Sequence, residues 1–540
     1  MSQILLRTSN LGVAQAGAIV FSAYLCYALF RTLQRRRSTP LKGPPRRILR
    51  NWIFGMKSVL SGAPDPGAVF EDWATQYGAV YSMPTSLGGN TIVVTDTKSI
   101  AHFAAKETYG YVMTPQSRDF LGRMFGKGLF WAEGDSHKRQ RRALNPAFSV
   151  TAIKDLTPIF FDSAYKVKAA WDAIIERRPD GTTIEVQSWM NHVSLDTIGL
   201  AGFSHDFGTL SGEKSVVADV FDNIGSRSSI IGDFVFLLSL FMPVFGRIPI
   251  GRALMVRQLT QTLNGLGDKF LETIDTTSKD GGVDKSVIGI LVKSATSDKI
   301  SNDEVRAQIN VLLLAGYETT AISLTWALIE LSRHPELQTK LRNELFESGG
   351  DLTSEELTKQ GSLLDAFTCE ILRLHPPLGI LERMAAEDDI LPLSTPMETA
   401  DGRLVDSLVV AKGTIITIPI HSINRSEAFW GPDAKTFNPL RWLSQPDKIE
   451  FEYTNTQYRA QEIQGYRHLL TFSDGARNCL GKVFAVMEFK VVLSILVREY
   501  LFEFPGGEGT KIGRHENIFP RPKVEGEVGF DVPLRVRPFV

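Results

Sequence analysis

The sequence is short of the groups that announce most kinds of chemistry. Only three cysteines, Cys26, Cys369 and Cys479, occur in 540 residues. They are too few and too scattered for a disulfide framework, so reduced thiols are expected. No sign of charge dominates, since 59 Lys and Arg face 60 Asp and Glu; this offers nothing to nucleic acid or to a strongly acidic substrate. No G-x-G-x-x-G followed by a suitable acid and no G-x-x-x-x-G-K-[ST] is present, so no nicotinamide- or phosphate-binding module is expected. Internal repeats and low-complexity tracts are lacking too. What remains is a globular chain, 43% hydrophobic, long enough to bury a large core.

Charge is also missing from one long run. After a short tail, 1–10, residues 11–30 (LGVAQAGAIVFSAYLCYALF) carry none and would span about 30 Å as a helix, enough to cross a bilayer. The run exceeds the apolar region of an ordinary signal peptide and no small-residue cleavage site follows it. Arg31, Arg35, Arg36, Arg37, Lys42, Arg46, Arg47 and Arg50 follow it, against Arg7 alone before it, which predicts that the bulk of the protein faces the cytosol. An uncleaved transmembrane anchor is expected over 11–30, then a basic connector, 31–50, stiffened by Pro40, Pro44 and Pro45. One large domain, 51–540, is the simplest division of the rest.

Apolar residues at three- and four-residue spacing predict helices over 301–334, 354–374 and 480–499, and short apolar runs predict strands at 91–96 and 414–420. The fold class expected is mainly α with small β-sheets. The helix after Ser301 opens with a capping box to Glu304 and stops before Pro335. In its middle, AGYETT (315–320) has two readings. Gly316 either lets another helix pack closely, with Glu318 solvated, or marks a kink that admits a flat ligand beside an acid and a hydroxyl. In CEILRLHPP, Glu370 and Arg373 share a helix face with Ile371, Leu372 and Leu374. A buried pair needs a further cation, and Arg441 in FNPLRW is the candidate. Finally, FSDGARNCLG (472–481) sets Cys479 among glycines, ahead of a helix starting near Leu480. Cys369, in an apolar helix, reads as a small buried hydrophobe.

These pieces, in this order, resemble the cytochrome P450 family of haem-thiolate monooxygenases. FSDGARNCLG is similar to the family's F-x-x-G-x-R-x-C-x-G signature at Phe472, Gly475, Arg477, Cys479 and Gly481. AGYETT, the Glu370/Arg373 pair and Arg441 add three weaker motifs, and the resemblance runs from the anchor to the end. It implies the P450 fold, haem b as cofactor and Cys479 as the axial thiolate. Phe472 should pack near the sulfur, Ala315 and Gly316 should lie beside the haem, and Arg477, His137, Arg141 and Arg383 become candidates for its propionates. At His137 the family often has Trp.

Thr319 and Glu318 take the proton-relay role by the same resemblance, and Glu370, Arg373 and Arg441 form a buried structural network. The implied partners are NADPH-cytochrome P450 reductase, cytochrome b5, and a lipophilic substrate at the endoplasmic reticulum membrane, with a single span. The pattern is similar to membrane-bound fungal members that tailor terpenoids and other secondary metabolites, xenobiotic oxidation being the other use. The apolar stretch 230–245 is read as dipping into the bilayer or as core. Two rivals stay open: a haem-thiolate isomerase or dehydratase that needs no reductase, and a non-catalytic haem sensor.

Overall fold

The structure is a computed structural model that describes residues 37–45, 55–177, 182–223, 252–279, 286–298, 300–443, 469–507, 509–515, 519–527 and 529–539, with Ser22 standing alone before them. The expected anchor, Ser22 apart, and the stretch 230–245 lie outside the described residues. The described chain is mainly helical with small sheets. It divides into two compact units, 1–114 with 380–422, and 115–379 with 423–540.

The first unit is built on a five-stranded sheet in the order Val80–Pro84, Asn90–Val94, Ile415–Ile418, Leu381–Ala385 and Tyr111–Val112. Ile92 pairs with Ile416 in parallel, while the other ladders are antiparallel. Val93, Tyr81 and Phe70 are buried in this unit's small core. Both expected strands belong to this sheet.

The second unit is a helical core. Six of its helices matter here: α1 (Gly134–Leu144), α2 (Val150–Ile175), α3 (Val186–Phe203), α4 (Asn302–Arg333), α5 (Leu363–Leu374) and α6 (Lys482–Glu499). The 32 residues of α4 make a rod about 50 Å long. It begins at the expected box, in which the Ser301 hydroxyl accepts from the Glu304 amide and the Glu304 side chain accepts from the Ser301 amide; such caps are worth about 1 kcal/mol. Pro335 ends it by starting the next helix. Among the described residues α4 alone is long and apolar enough to cross a membrane. Its apolar window is 78% buried inside the protein, so α4 is held by packing on all sides as a core helix. Leu313, Leu324, Leu328 and Leu331 are fully buried, each worth about 1.5–3 kcal/mol.

One helix expected from periodicity is two. The 354–374 pattern breaks into Ser354–Thr358 and α5, because Gly361 adopts φ +82 and the Ser362 hydroxyl accepts from the Asp365 amide to start a new helix. Apolar spacing persisted across the break because both pieces bury Leu residues against the same core. The C-terminal segment closes the unit with a three-stranded sheet, Thr182–Glu185, Pro533–Pro538 and Tyr500–Glu503, and a hairpin of Ile512–His515 and Arg521–Val524.

Candidate active site

The loop before α6 is folded tightly around its cysteine. Leu470–Phe472 and Gly475–Arg477 form single 3-10 turns, and Gly475 takes φ +72. Between them Ser473 sits at φ +55, ψ −175, a region that costs a non-glycine residue about 1–3 kcal/mol. The strain is held in place by hydrogen bonds: the Cys479 amide donates to the Phe472 carbonyl at 2.7 Å, and the Asp474 carboxylate accepts from the Gly475 amide at 2.7 Å. The Lys482 ammonium lies 5.5 Å from the Phe472 ring centre. The helix starts at Lys482 rather than near Leu480, so Cys479, Leu480 and Gly481 form its approach.

Cys479 is solvent-accessible by surface area, yet protein atoms crowd around its sulfur. Burial therefore pushes the thiol up, while the Gly481 amide and the positive charges of Arg141 and Lys482 pull it down without prevailing. The polypeptide by itself keeps the proton, and a bound metal cation would remove it. A soft sulfur ligand facing an opening, backed by an amide and two cations, suits an iron held by one thiolate.

Two of the four basic candidates bond to this region directly. Arg141, on α1, donates to the Asn478 carbonyl at 2.6 Å and to the Asn478 side-chain oxygen. Burial lowers its guanidinium from the ordinary value and Cys479 opposes that. Arg477 donates to the Ala132 carbonyl, just ahead of α1. His137 lies one turn before Arg141 and is buried. Arg383 belongs to the first unit, where it ion-pairs with Glu107 at 3.0 Å and donates to the Glu382 carbonyl at 2.8 Å. Its charge is thus already matched by a carboxylate.

On α4 every residue from Ala307 to Ser332 is buried except Ala315, Gly316 and Thr319. One turn of an otherwise enclosed helix is left open, as a flat ligand lying against it requires. The helix runs without interruption from Asn302 to Arg333. A side-chain carbon on Gly316 would stand 2.7 Å from Ile198 of α3; the glycine thus serves the close approach of α3, while its backbone stays on the open turn. The Thr319 hydroxyl donates to the Ala315 carbonyl at 2.7 Å. Glu318 is not solvated: it is fully buried and ion-paired to Arg521 at 3.0 Å, also fully buried.

Glu370, Arg373 and Arg441 do come together, all fully buried. Arg373 donates to both Glu370 oxygens at 2.8 Å, Arg441 adds a bond of 3.1 Å, and the Asn438 amide and Trp442 indole supply two more at 2.9 Å. Burial alone would raise this carboxyl, but the arginines and amide hold it at about 2. Asp433 takes the other side of Arg441 at 2.9 Å.

Sequence reasoning missed Arg521, Asp433, Trp442 and a buried acid on α6, Glu488. Glu488 lies beside Thr320 and Ser194, neither of which meets it with good hydrogen-bond geometry, and burial pushes its carboxyl well above the ordinary range. A lone acid inside the apolar run MEFKVVLSILV was the legible signal for Glu488; Arg521 gave none.

A profile of the cytochrome P450 family matches residues 44–530. Cytochrome P450 monooxygenase claQ of Ampulloclitocybe clavipes is 51% identical over 96% of this chain and 97% of its own. Cytochrome P450 monooxygenase 205 of Postia placenta is 31% identical over 98% of each. A ganoderic acid synthetase of Ganoderma lucidum is 30% identical over 79% of this chain and 82% of its own. With the cysteine loop and the opened turn of α4, these matches establish that the chain belongs to the cytochrome P450 family of haem-dependent monooxygenases.

Proposed function

We propose that this chain inserts one oxygen atom of dioxygen into a lipophilic small molecule, a terpenoid or related product of fungal secondary metabolism. The observation that carries the chemistry is the Cys479 loop, with its sulfur open to a ligand and backed by the Gly481 amide, Arg141 and Lys482. The pathway reading is supported by the relative named for ganoderic acid synthesis.

Held through the Cys479 thiolate, haem b would supply the iron chemistry that activates dioxygen, with the electron-rich sulfur promoting it. The protein does the rest. The hydrogen bond from the Cys479 amide to Phe472 fixes the loop. Arg141 and Arg477 offer cations for the two propionates, with His137 one turn away. Ala315, Gly316 and Thr319 line the open turn of α4. The Thr319 oxygen, its proton engaged by the Ala315 carbonyl, keeps lone pairs with which to accept a bond from a water there. Glu318 is the acid that replenishes that water's proton.

Electrons come from NADPH-cytochrome P450 reductase, with cytochrome b5 as an auxiliary donor. Residues 11–30 anchor the chain in the endoplasmic reticulum membrane, with the bulk facing the cytosol.

The test is expression in microsomes with reductase and a panel of terpenoid, steroid and aromatic substrates, read by mass spectrometry. Products one oxygen atom heavier, dependent on NADPH and reductase, are expected. Isomeric or dehydrated products formed without NADPH would overturn the reading.

A further inference from the structure

Helix α5 ends in a sequence that cannot complete its own hydrogen bonds. Each helical carbonyl accepts from the amide four residues on, and the residue four beyond Leu372 is Pro376, which has no N–H to give. Leu372 is buried, so its carbonyl needs another donor from the protein. That donor comes from 99 residues along the chain: the Thr471 hydroxyl donates to the Leu372 carbonyl at 2.6 Å. The same oxygen accepts from the Asn424 side-chain amide at 2.8 Å, and a hydroxyl can do both at once. Asn424 is itself fixed through its carbonyl, which accepts from Arg373 at 3.0 Å. Two routes thus run from consecutive residues of α5, Leu372 and Arg373, to one side-chain oxygen.

Thr471 stands immediately before Phe472, whose carbonyl accepts from the Cys479 amide, and two residues before the strained Ser473. The bonds from Cys479 to Phe472 and from Gly475 to Asp474 lie inside the loop; they set its shape but not its place. Place comes from contacts outside it. At the cysteine end Arg141 donates to the Asn478 carbonyl and Arg477 to the Ala132 carbonyl, which ties that end to α1 and the residues just ahead of it. At the start of the loop Thr471 does the same toward α5. A strained backbone persists only where its surroundings hold it firmly, and Ser473 lies between these two points of attachment.

We propose that Thr471 is a positioning residue: its hydroxyl tethers the start of the cysteine loop to the C-terminus of α5 and so holds the Cys479 sulfur where a metal can use it. This rests on the reading of Cys479 as the axial ligand. The hydroxyl does no chemistry and touches no reacting atom. Without it the loop keeps its internal bonds and its ties toward α1, but its start is released and the Leu372 carbonyl loses its donor. The thiolate is then lost more readily, while the helical core stays folded.

The test compares Thr471→Val, which keeps the shape and removes the hydroxyl, with Thr471→Ser, Asn424→Ala and the Thr471→Val/Asn424→Ala double variant, all as the full-length haem protein. Each is held at a denaturant concentration where its far-ultraviolet circular dichroism stays native, and conversion of the thiolate-type carbon monoxide difference spectrum to the thiol type is timed. Thr471→Val is expected to convert about fivefold faster than wild type or more, Thr471→Ser to stay within about twofold of wild type, and Asn424→Ala to fall between them. Because the Asn424 side chain acts through Thr471, the double variant should match Thr471→Val within about twofold. Conversion of Thr471→Val at the wild-type rate, failure of serine to restore it, or effects that multiply in the double variant overturn the tether. Should Thr471→Val take up no haem, Asn424→Ala decides: acceleration of about twofold or more supports the tether, and the wild-type rate overturns it. A thiolate-type spectrum from Cys479→Ala would instead remove the reading of the ligand, and the tether with it, whatever the Thr471 variants show.

Discussion

Helix α5 carries a buried acid and a cysteine, α6 carries a buried acid with a cysteine in the loop just before it, and the two acids are treated in opposite ways. On α5, Glu370 is fully buried and its carboxyl is held at about 2, whereas on α6 Glu488 is equally buried and pushed well above the ordinary range. Burial is common to both, so the partners decide the charge. Two arginines, an amide and an indole surround Glu370; hydroxyls alone flank Glu488. Burial pushes both thiols up, but they differ in what faces them. Cys369 is enclosed beside Asp365 and Glu370, and burial first, then those acids, raise it to about 12. Cys479 has an opening, an amide and two cations. A group's depth therefore says little about its chemistry until its donors are counted.

The sharpest way to break the comparison is to remove each thiol. Cys479→Ala should abolish the thiolate-type carbon monoxide difference spectrum completely, and Cys369→Ala should leave it intact. A normal spectrum from the Cys479 variant would end the assignment of the loop. Next in size is the acid network: Arg373→Met leaves the Glu370 charge half-compensated in a dry site. Removing one partner of a buried pair costs about 3–5 kcal/mol, so this variant should unfold far more readily, with Glu370→Gln/Arg373→Met partly restoring thermal stability. An unaffected Arg373→Met melting curve would mean that Glu370 is not charged.

The pH response follows from the same carboxyl. Glu370 has an ordinary value of 4.5 and a folded value of about 2, so between these the unfolded chain binds the proton more strongly. Its contribution is fully present above about pH 4.5 and is lost as the pH falls toward 2, at most about 3 kcal/mol in all. Denaturant titrations of wild type and Glu370→Gln across that window should converge as the pH drops. Curves that stay parallel would assign acid sensitivity to other groups.

Much of this was legible, and the gaps have physical causes. The cysteine loop was readable because its glycines, arginine and cysteine are contiguous, and Arg441 because a buried Glu370/Arg373 pair demands another cation. The Ser301 cap and the end at Pro335 gave α4 to within a residue. Arg521 was invisible: 203 residues separate it from Glu318, and a charged residue between two prolines reads as loop. The two-unit arrangement was equally hidden, since the Ile92 to Ile416 pairing joins segments far apart in the chain. The break at Gly361 escaped because apolar spacing reports burial, not continuity.

The smallest expected effect tests the other half of the comparison. If Glu488 is held as a neutral acid, glutamine is a near-isosteric neutral replacement, and no charge is lost. Glu488→Gln should then unfold within about 1 kcal/mol of wild type near pH 4, where the carboxyl is protonated in both states. The sign can be followed further. A carboxyl whose folded value lies above its ordinary 4.5 binds protons more tightly in the fold. Wild-type stability therefore falls as the pH rises above about 4.5, until the folded group itself ionises. Glutamine has no such proton to hold, so the variant lacks that slope and should match or exceed wild type on the alkaline side. Denaturant unfolding of both proteins at stepped pH measures the difference directly. A variant several kcal/mol weaker at neutral pH would show that Glu488 carries a charge with a partner of its own, and that α5 and α6 handle their acids alike.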